Sequence, residues 1–238
     1  MQLSPNEYKR DKRNRAREKQ VRKVKRVIVL LVVVILAAIV LFIWNSFNKT
    51  KEQFQTGSYD AAEDVAQEVL DARMPERQVM LLTPNEYSRP QIQLEKVNGI
   101  VIHYTANPGT TAANNRDYFE GLKDTKEVQA SSHFIIGLDG EIVQCIPTSE
   151  IAYASNDRNY DTISIECCHP DESGKFNDTT YQSLVQMTAW LCNRFGLTPS
   201  QIYRHYDITG KVCPKYFVDY PDEWQKFLED VDTERKTY

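Results

Sequence analysis

Residues 27–44 read VIVLLVVVILAAIVLFIW, eighteen positions without a charge, and no charged residue returns until Lys49. Nothing else in the chain limits its fold so strongly. About 20 apolar residues are enough for a helix to cross the hydrocarbon core of a bilayer. A buried core helix is the alternative, but soluble helices rarely lack a polar face over this length. A cleaved leader would have a shorter apolar stretch, with small residues just beyond it. Here Phe42, Ile43 and Trp44 are followed by Asn45 and Ser46. The pattern predicts one retained transmembrane helix over residues 27–47, with the lipid bilayer as its partner and Trp44 at the interface.

Charge distribution supplies the orientation. The net charge of −4 hides a split. Residues 1–26 carry eleven Lys/Arg against Glu7, Asp11 and Glu18, a balance of +8, whereas the remainder stands at −12. Arg22, Lys23, Lys25 and Arg26 abut one end of the apolar run, and only Lys49 and Lys51 follow closely on the other. The positive-inside rule then makes residues 1–26 a basic cytoplasmic tail and sends the rest of the chain out of the cytoplasm. A basic stretch can also bind nucleic acid, but this one lacks interleaved aromatics. Anionic headgroups are the simpler partner, so no nucleic acid is expected.

Beyond the run, residues 48–96 read as an external stalk. Residues 59–72 (YDAAEDVAQEVLDA) favour a short helix with a narrow apolar stripe, Met74-Pro75 breaks it, and Pro84, Asn85, Ser88 and Pro90 mark an irregular arm. From residue 97 the texture becomes that of a folded domain reaching residue 238. GIVIHY at 99–104 suits a buried strand. Thr110 or Thr111 can cap a helix running to about Gly121, with Tyr118, Phe119 and Leu122 inward. Asp139-Gly140 between two apolar runs signals a hairpin. TISIECC at 162–168 alternates as a strand, and residues 179–195 form an amphipathic helix stopped by Gly196. Residues 201–203 suit an edge strand, and a last helix starts near Asp222 with Trp224, Phe227 and Leu228 buried. The predicted class is α/β (mixed α+β): a central mixed β-sheet flanked by helices, preceded by a single transmembrane helix and a stalk.

Four histidines and five cysteines carry the metal-binding potential. His103 ends the first strand, and His205 and Cys213 stand in HYDITGKVC, eight positions apart. No regular period brings those two to one face, so a loop must wrap back between them. Three such donors with one open position describe a catalytic rather than a structural zinc site. By spacing alone, each His is as well read as a structural residue and Cys213 as a small buried hydrophobe.

Four separated blocks, GIVIHYTANPGTTAANNRDYF, ASSHFIIGLDGEIVQCIP, DTISIECCH and RHYDITGKVCP, resemble the amidase-2 family over about residues 97–232. That family comprises N-acetylmuramoyl-L-alanine amidases and is related to the peptidoglycan recognition proteins. The resemblance implies zinc as cofactor, His103, His205 and Cys213 as metal ligands, and peptidoglycan as substrate. It further implies that Glu166 activates or orients the attacking water and that Lys211 helps to stabilise the oxyanion. Cys213 stands where some relatives have aspartate, and both donors bind zinc. His133 matches a histidine in a comparable strand, expected near the cleft or as a hydrogen-bonded structural group. Tyr153-Ala154-Ser155-Asn156 replaces a His-Ala-Gly-like turn, and Asn156, with Asn107, Asn114 and Asn159, is a candidate substrate contact.

Elementary chemistry agrees with that assignment. Amide hydrolysis needs an activated water, a carboxylate to shuttle its proton and positive charge near the developing oxyanion. Strand alternation puts Ser164, Glu166 and Cys168 on one face and Ile163, Ile165 and Cys167 on the other. Outside the cytoplasm disulfides are permitted, and a Cys167–Cys192 pair is conceivable, although free buried thiols are the default. Two further function classes remain: a membrane-anchored peptidoglycan-binding module without turnover, and a scaffold for envelope proteins.

Overall fold

A computed structural model describes residues 40–44, 69, 71 and 73–238. Two compact units are distinguished, the second of them Ala66–Tyr238. In the first unit residues 40–44 are helical and their apolar side chains are exposed. Among the described residues no helix is long and apolar enough to cross a membrane. The remainder of the span expected at residues 27–47, the basic tail and most of the helix expected at residues 59–72 lie outside the described residues.

The second unit is built on a six-stranded sheet: β1 (Gln78–Val79), β2 (Gly99–Tyr104), β3 (Phe134–Ile136), β4 (Ile142–Gln144), β5 (Thr162–Cys167) and β6 (Ile202–Arg204). Their order is β1-β4-β3-β5-β2-β6, and all neighbours run parallel except the β3–β4 hairpin. Gly140, at φ +81°, takes the left-handed turn position that the Asp-Gly signal demanded. The central strands β2 and β5 are almost wholly buried, as expected of parallel strands covered on both faces.

Helix α1 (Ala112–Thr125) covers one face. Thr111 caps it, accepting from Asn114 N–H while the Asn114 side chain accepts from Thr111 N–H. It passes the stop expected at Gly121, whose surroundings are open, and ends where Lys126 turns left-handed at φ +57°. Phe119 and Leu122 point inward as predicted, but Tyr118 is exposed. They pack with Ile135, Val143, Cys145 and Leu82 into one apolar cluster. The larger cluster lies on the opposite face, where Ile100, Ile102, Ile163 and Ile165 meet α2 (Asp178–Phe195), the short α4 (Lys215–Asp219) and α5 (Pro221–Arg235). Asn177 caps α2, and Gly196 at φ +64° closes it. Trp224 and Phe227 on α5 are buried against it, with Leu228 partly so.

The arm before β2 departs from the expected stalk. β1 adds to the sheet edge, and Met80 N–H and Leu82 N–H continue the pairing onto Gln144 and Cys145 carbonyls at 3.0 and 2.9 Å. Leu82 and Leu94 are buried. Arg89 forms a bidentate pair with Glu150 at 2.8 and 2.7 Å and also donates to the Leu82 carbonyl at 2.8 Å. The folded unit therefore starts well before residue 97. Its arm lacks a hydrophobic period because only isolated residues anchor it. All five cysteines are buried and free, so Cys167 and Cys192 share a core without bonding.

Candidate metal centre and active site

Parallel strands present their C-terminal ends to one edge of a sheet, where ligands commonly bind. His103 and Glu166 occupy paired positions at those ends of β2 and β5. β6 pairs with the other side of β2 and ends at Arg204, so His205 follows directly beside His103. The imidazole centroids lie 4.7 Å apart in an edge-to-face arrangement. His205 opens the short helix α3 (His205–Thr209), which Gly210 ends at φ +76°. The chain then doubles back, and Tyr206 N–H donates to the Cys213 carbonyl at 2.9 Å. This is the wrapping loop that the His205–Cys213 spacing required. One ligand atom from each of His103, His205 and Cys213 lies within 4.8 Å of the others.

The state of these groups suits a cation. Burial, assisted by His205 and Lys211, pulls the His103 pKa well below the usual imidazole value, and burial with Lys211 lowers that of His205. Both rings are therefore neutral and have a lone pair to offer. Burial pushes the Cys213 thiol up to about 12, so a thiolate there needs positive charge beside it. Among the described residues, His205 Nδ1 and Glu166 Oε2 are buried without a hydrogen-bond partner. A buried imidazole nitrogen left open beside a thiol and a second imidazole fits a borderline divalent cation.

Glu166 stands next to this triad, with Oε1 4.0 Å from His103 Nδ1. Burial raises its pKa to about 8 and Lys211 opposes the rise. Lys211 lines the same cleft, a cavity of about 360 Å³ also bordered by Tyr104, Phe119, Val128, Tyr153 and Asn156. His103, His205, Cys213, Glu166, Lys211 and Asn156 thus meet at one cleft. His133 does not border it. Its Nδ1 accepts from Ser164 N–H at 3.0 Å, and its Nε2 lies 2.9 Å from the Glu150 carbonyl. The structural alternative for His133 matches this placement, because the buried ring, just before β3, is committed to these two contacts. Asn114 is spent on the α1 cap, and Asn159 accepts from Ala154 and Ser155 N–H at 3.0 and 2.6 Å.

The residue that the sequence did not single out is Ser155. It is buried, and its Oγ lies 3.3 Å from His103 Nε2. Its neighbour Asn156 reaches His205, with Oδ1 3.2 Å from Nε2. The available signal was the departure of Tyr153-Ala154-Ser155-Asn156 from the expected turn, which placed two polar side chains together.

Comparisons with known proteins converge on this domain. A family model described as N-acetylmuramoyl-L-alanine amidase matches residues 93–216. The chain is 37% identical over 162 residues to the N-acetylmuramoyl-L-alanine amidase CwlL of Bacillus licheniformis, covering 63% of this chain and 44% of that protein. It is 36% identical over 166 residues to the N-acetylmuramoyl-L-alanine amidase BlyA of Bacillus subtilis, covering 61% and 43%. It therefore spans less than half the length of these relatives. The solved structure of PlyL superposes with a TM-score of 0.58 at 22% identity, covering 67% of this chain and 98% of that one.

Proposed function

The chain belongs to the N-acetylmuramoyl-L-alanine amidase family, and from that premise we propose that it is a zinc-dependent hydrolase of the amide between N-acetylmuramic acid and L-alanine in peptidoglycan. The observation that carries this reading is the gathering of His103, His205 and Cys213 beside the Glu166 carboxylate in one cleft. His103, His205 and Cys213 would hold the zinc, which when bound would supply Lewis acidity toward the scissile carbonyl and toward water. Glu166 takes a proton from the attacking water and passes it to the nitrogen of L-alanine as the carbon–nitrogen bond breaks. Its position beside the triad, with Oε1 4.0 Å from His103 Nδ1, suits it to hold that proton between the two transfers. Lys211 brings positive charge to the cleft, where the carbonyl oxygen becomes negative. The products are a muramic carboxylate and a stem peptide with a free L-alanine amine.

Residues 27–47 anchor the enzyme in the cytoplasmic membrane, with residues 1–26 inside and the catalytic domain facing the wall. The uncharged run and its Lys/Arg asymmetry support this topology. The test of the reaction uses the full-length chain and purified peptidoglycan. New L-alanine amino termini should accumulate without new reducing sugars, and a chelator should abolish their release. Binding to the wall without such termini would leave a peptidoglycan-binding module in place of the enzyme.

A further inference from the structure

Consecutive residues of one loop touch the far nitrogens of both ligand imidazoles. Ser155 Oγ is 3.3 Å from His103 Nε2, and Asn156 Oδ1 is 3.2 Å from His205 Nε2. A carboxamide oxygen has no hydrogen to give, so the Asn156 contact places the proton on His205 Nε2. The ring's remaining lone pair then lies at Nδ1, the buried atom with no partner among the described residues. At His103, Nδ1 faces Cys213 Sγ at 3.8 Å, where the thiol S–H can donate to it, and Nε2 faces Ser155 Oγ, a hydroxyl oxygen able to accept from an Nε2–H.

The loop is itself held in place. Asn159 Oδ1 accepts both Ala154 N–H and Ser155 N–H, and Ser155 is buried. Asn156 sits at φ +53°, a left-handed conformation that asparagine tolerates better than most residues. A left-handed turn at that position lets side chains 155 and 156 diverge toward two different rings.

We propose that Ser155 and Asn156 are positioning residues, which lock His103 and His205 as Nε2–H tautomers and present both Nδ1 lone pairs to the metal. The proposal rests on the metal-amidase reading, and it replaces substrate contact as the role of Asn156. Outer partners of ligating histidines typically contribute roughly 10–100-fold in metal affinity. A substrate contact would instead alter KM and leave metal affinity unchanged.

The test uses the full-length chain and four variants. Asn156→Gly accepts the left-handed backbone and removes only the acceptor, whereas Asn156→Asp keeps an acceptor. Ser155→Ala and Ser155→Thr form the equivalent pair on His103. Nitrogen-15 imidazole spectra of the metal-free protein report each tautomer, and competition with a chelator reports zinc affinity. Wild type should show Nε2–H on both rings. Asn156→Gly should lose that preference at His205 alone, Ser155→Ala at His103 alone, and each should weaken zinc binding by roughly 10–100-fold. Asn156→Asp and Ser155→Thr should restore both readouts. If wild type takes up no zinc, the metal-amidase reading fails and the proposal with it. If wild type binds zinc while Asn156→Gly and Ser155→Ala keep wild-type tautomers and affinity, only the positioning roles fall. Should Asn156→Gly not fold, Ser155→Ala decides the matter by the same two measurements.

Discussion

Glu166 and Lys211 carry separable parts of the proposed chemistry, and neither is needed to hold the metal. Glu166→Gln keeps the shape and removes the base; Lys211→Met keeps most of the stem and removes the charge. Both variants should fold and retain zinc. Turnover should fall by about 10²–10⁴-fold for Glu166→Gln and about 10²–10³-fold for Lys211→Met. The loss should lie in kcat, since these contacts strengthen only as charge develops. Cys168→Ser is the control, because Cys168 packs in the α1-side cluster and its thiol takes an Asn115 contact at 3.6 Å. A Glu166→Gln enzyme with wild-type kcat would remove the carboxylate from the mechanism. His133 makes a different prediction. Burial lowers its pKa to about 4, against the opposing pull of Glu150. The unfolded chain binds the second ring proton near pH 6.5. Between about pH 4 and 6.5 the unfolded state therefore holds more protons, and stability present above this window is lost as pH falls through it. Denaturant titrations at pH 7 and pH 4.5 should show wild type losing about 2 kcal/mol more than His133→Gln. Equal losses in both proteins would refute the assignment. The residues that meet at the cleft were legible because three separated sequence blocks carried them: His103 in the first, Glu166 in another, and His205, Lys211 and Cys213 together in the last. Ser155 was not, because its role depends on His103, which only the folded chain brings near, and the choice left open for His133 is decided by its Glu150 and Ser164 contacts.

The arm over residues 77–94 acts as a strap, and its strongest fastening is the Arg89–Glu150 pair. Both side chains are largely buried, and Arg89 also donates to the Leu82 carbonyl. Removing one member of such a pair leaves the other charge uncompensated, at a cost of about 3 kcal/mol. Arg89→Ala should therefore lower the denaturation midpoint by a corresponding amount. Arg89→Leu combined with Glu150→Leu should recover much of the loss, because no lone charge remains. If Arg89→Ala matches wild type, the ion pair contributes nothing measurable to holding the strap. Sequence patterning located the long elements well, since α2 and β5 declare themselves by period and by their caps. It misread the strap as a stalk. A two-residue edge strand, an Asn85-centred turn and one ion pair have no period to detect. The α3 loop lay between these cases: its need to wrap back followed from the spacing of His205 and Cys213, but its helical turn and Gly210 cap did not.

At the scale of the whole molecule, the proposed anchor at residues 27–47 sets which side of the membrane each part of the chain occupies. Residues 1–26 carry an excess of eight positive charges, four of them immediately before the apolar run. Moving such a segment across a membrane is disfavoured, and Lys/Arg within a few turns of a span dominate its orientation. The acidic remainder weighs little, because Asp and Glu contribute weakly to that choice. Protease added to intact, wall-stripped cells should therefore remove residues beyond the span and leave a protected fragment containing the basic tail. Replacing Arg22, Lys23, Lys25 and Arg26 with Gln, while placing Lys at Asn45, Ser46 and Asn48, reverses the local asymmetry. That chain should insert backwards in a measurable fraction of molecules, with the catalytic domain then protected. The wild-type result tests the topology, and the charge-reversed result tests its cause. A protected domain in wild type would overturn the outward placement. An outward domain that ignores the reversal would keep the placement and remove the Lys/Arg asymmetry as its explanation.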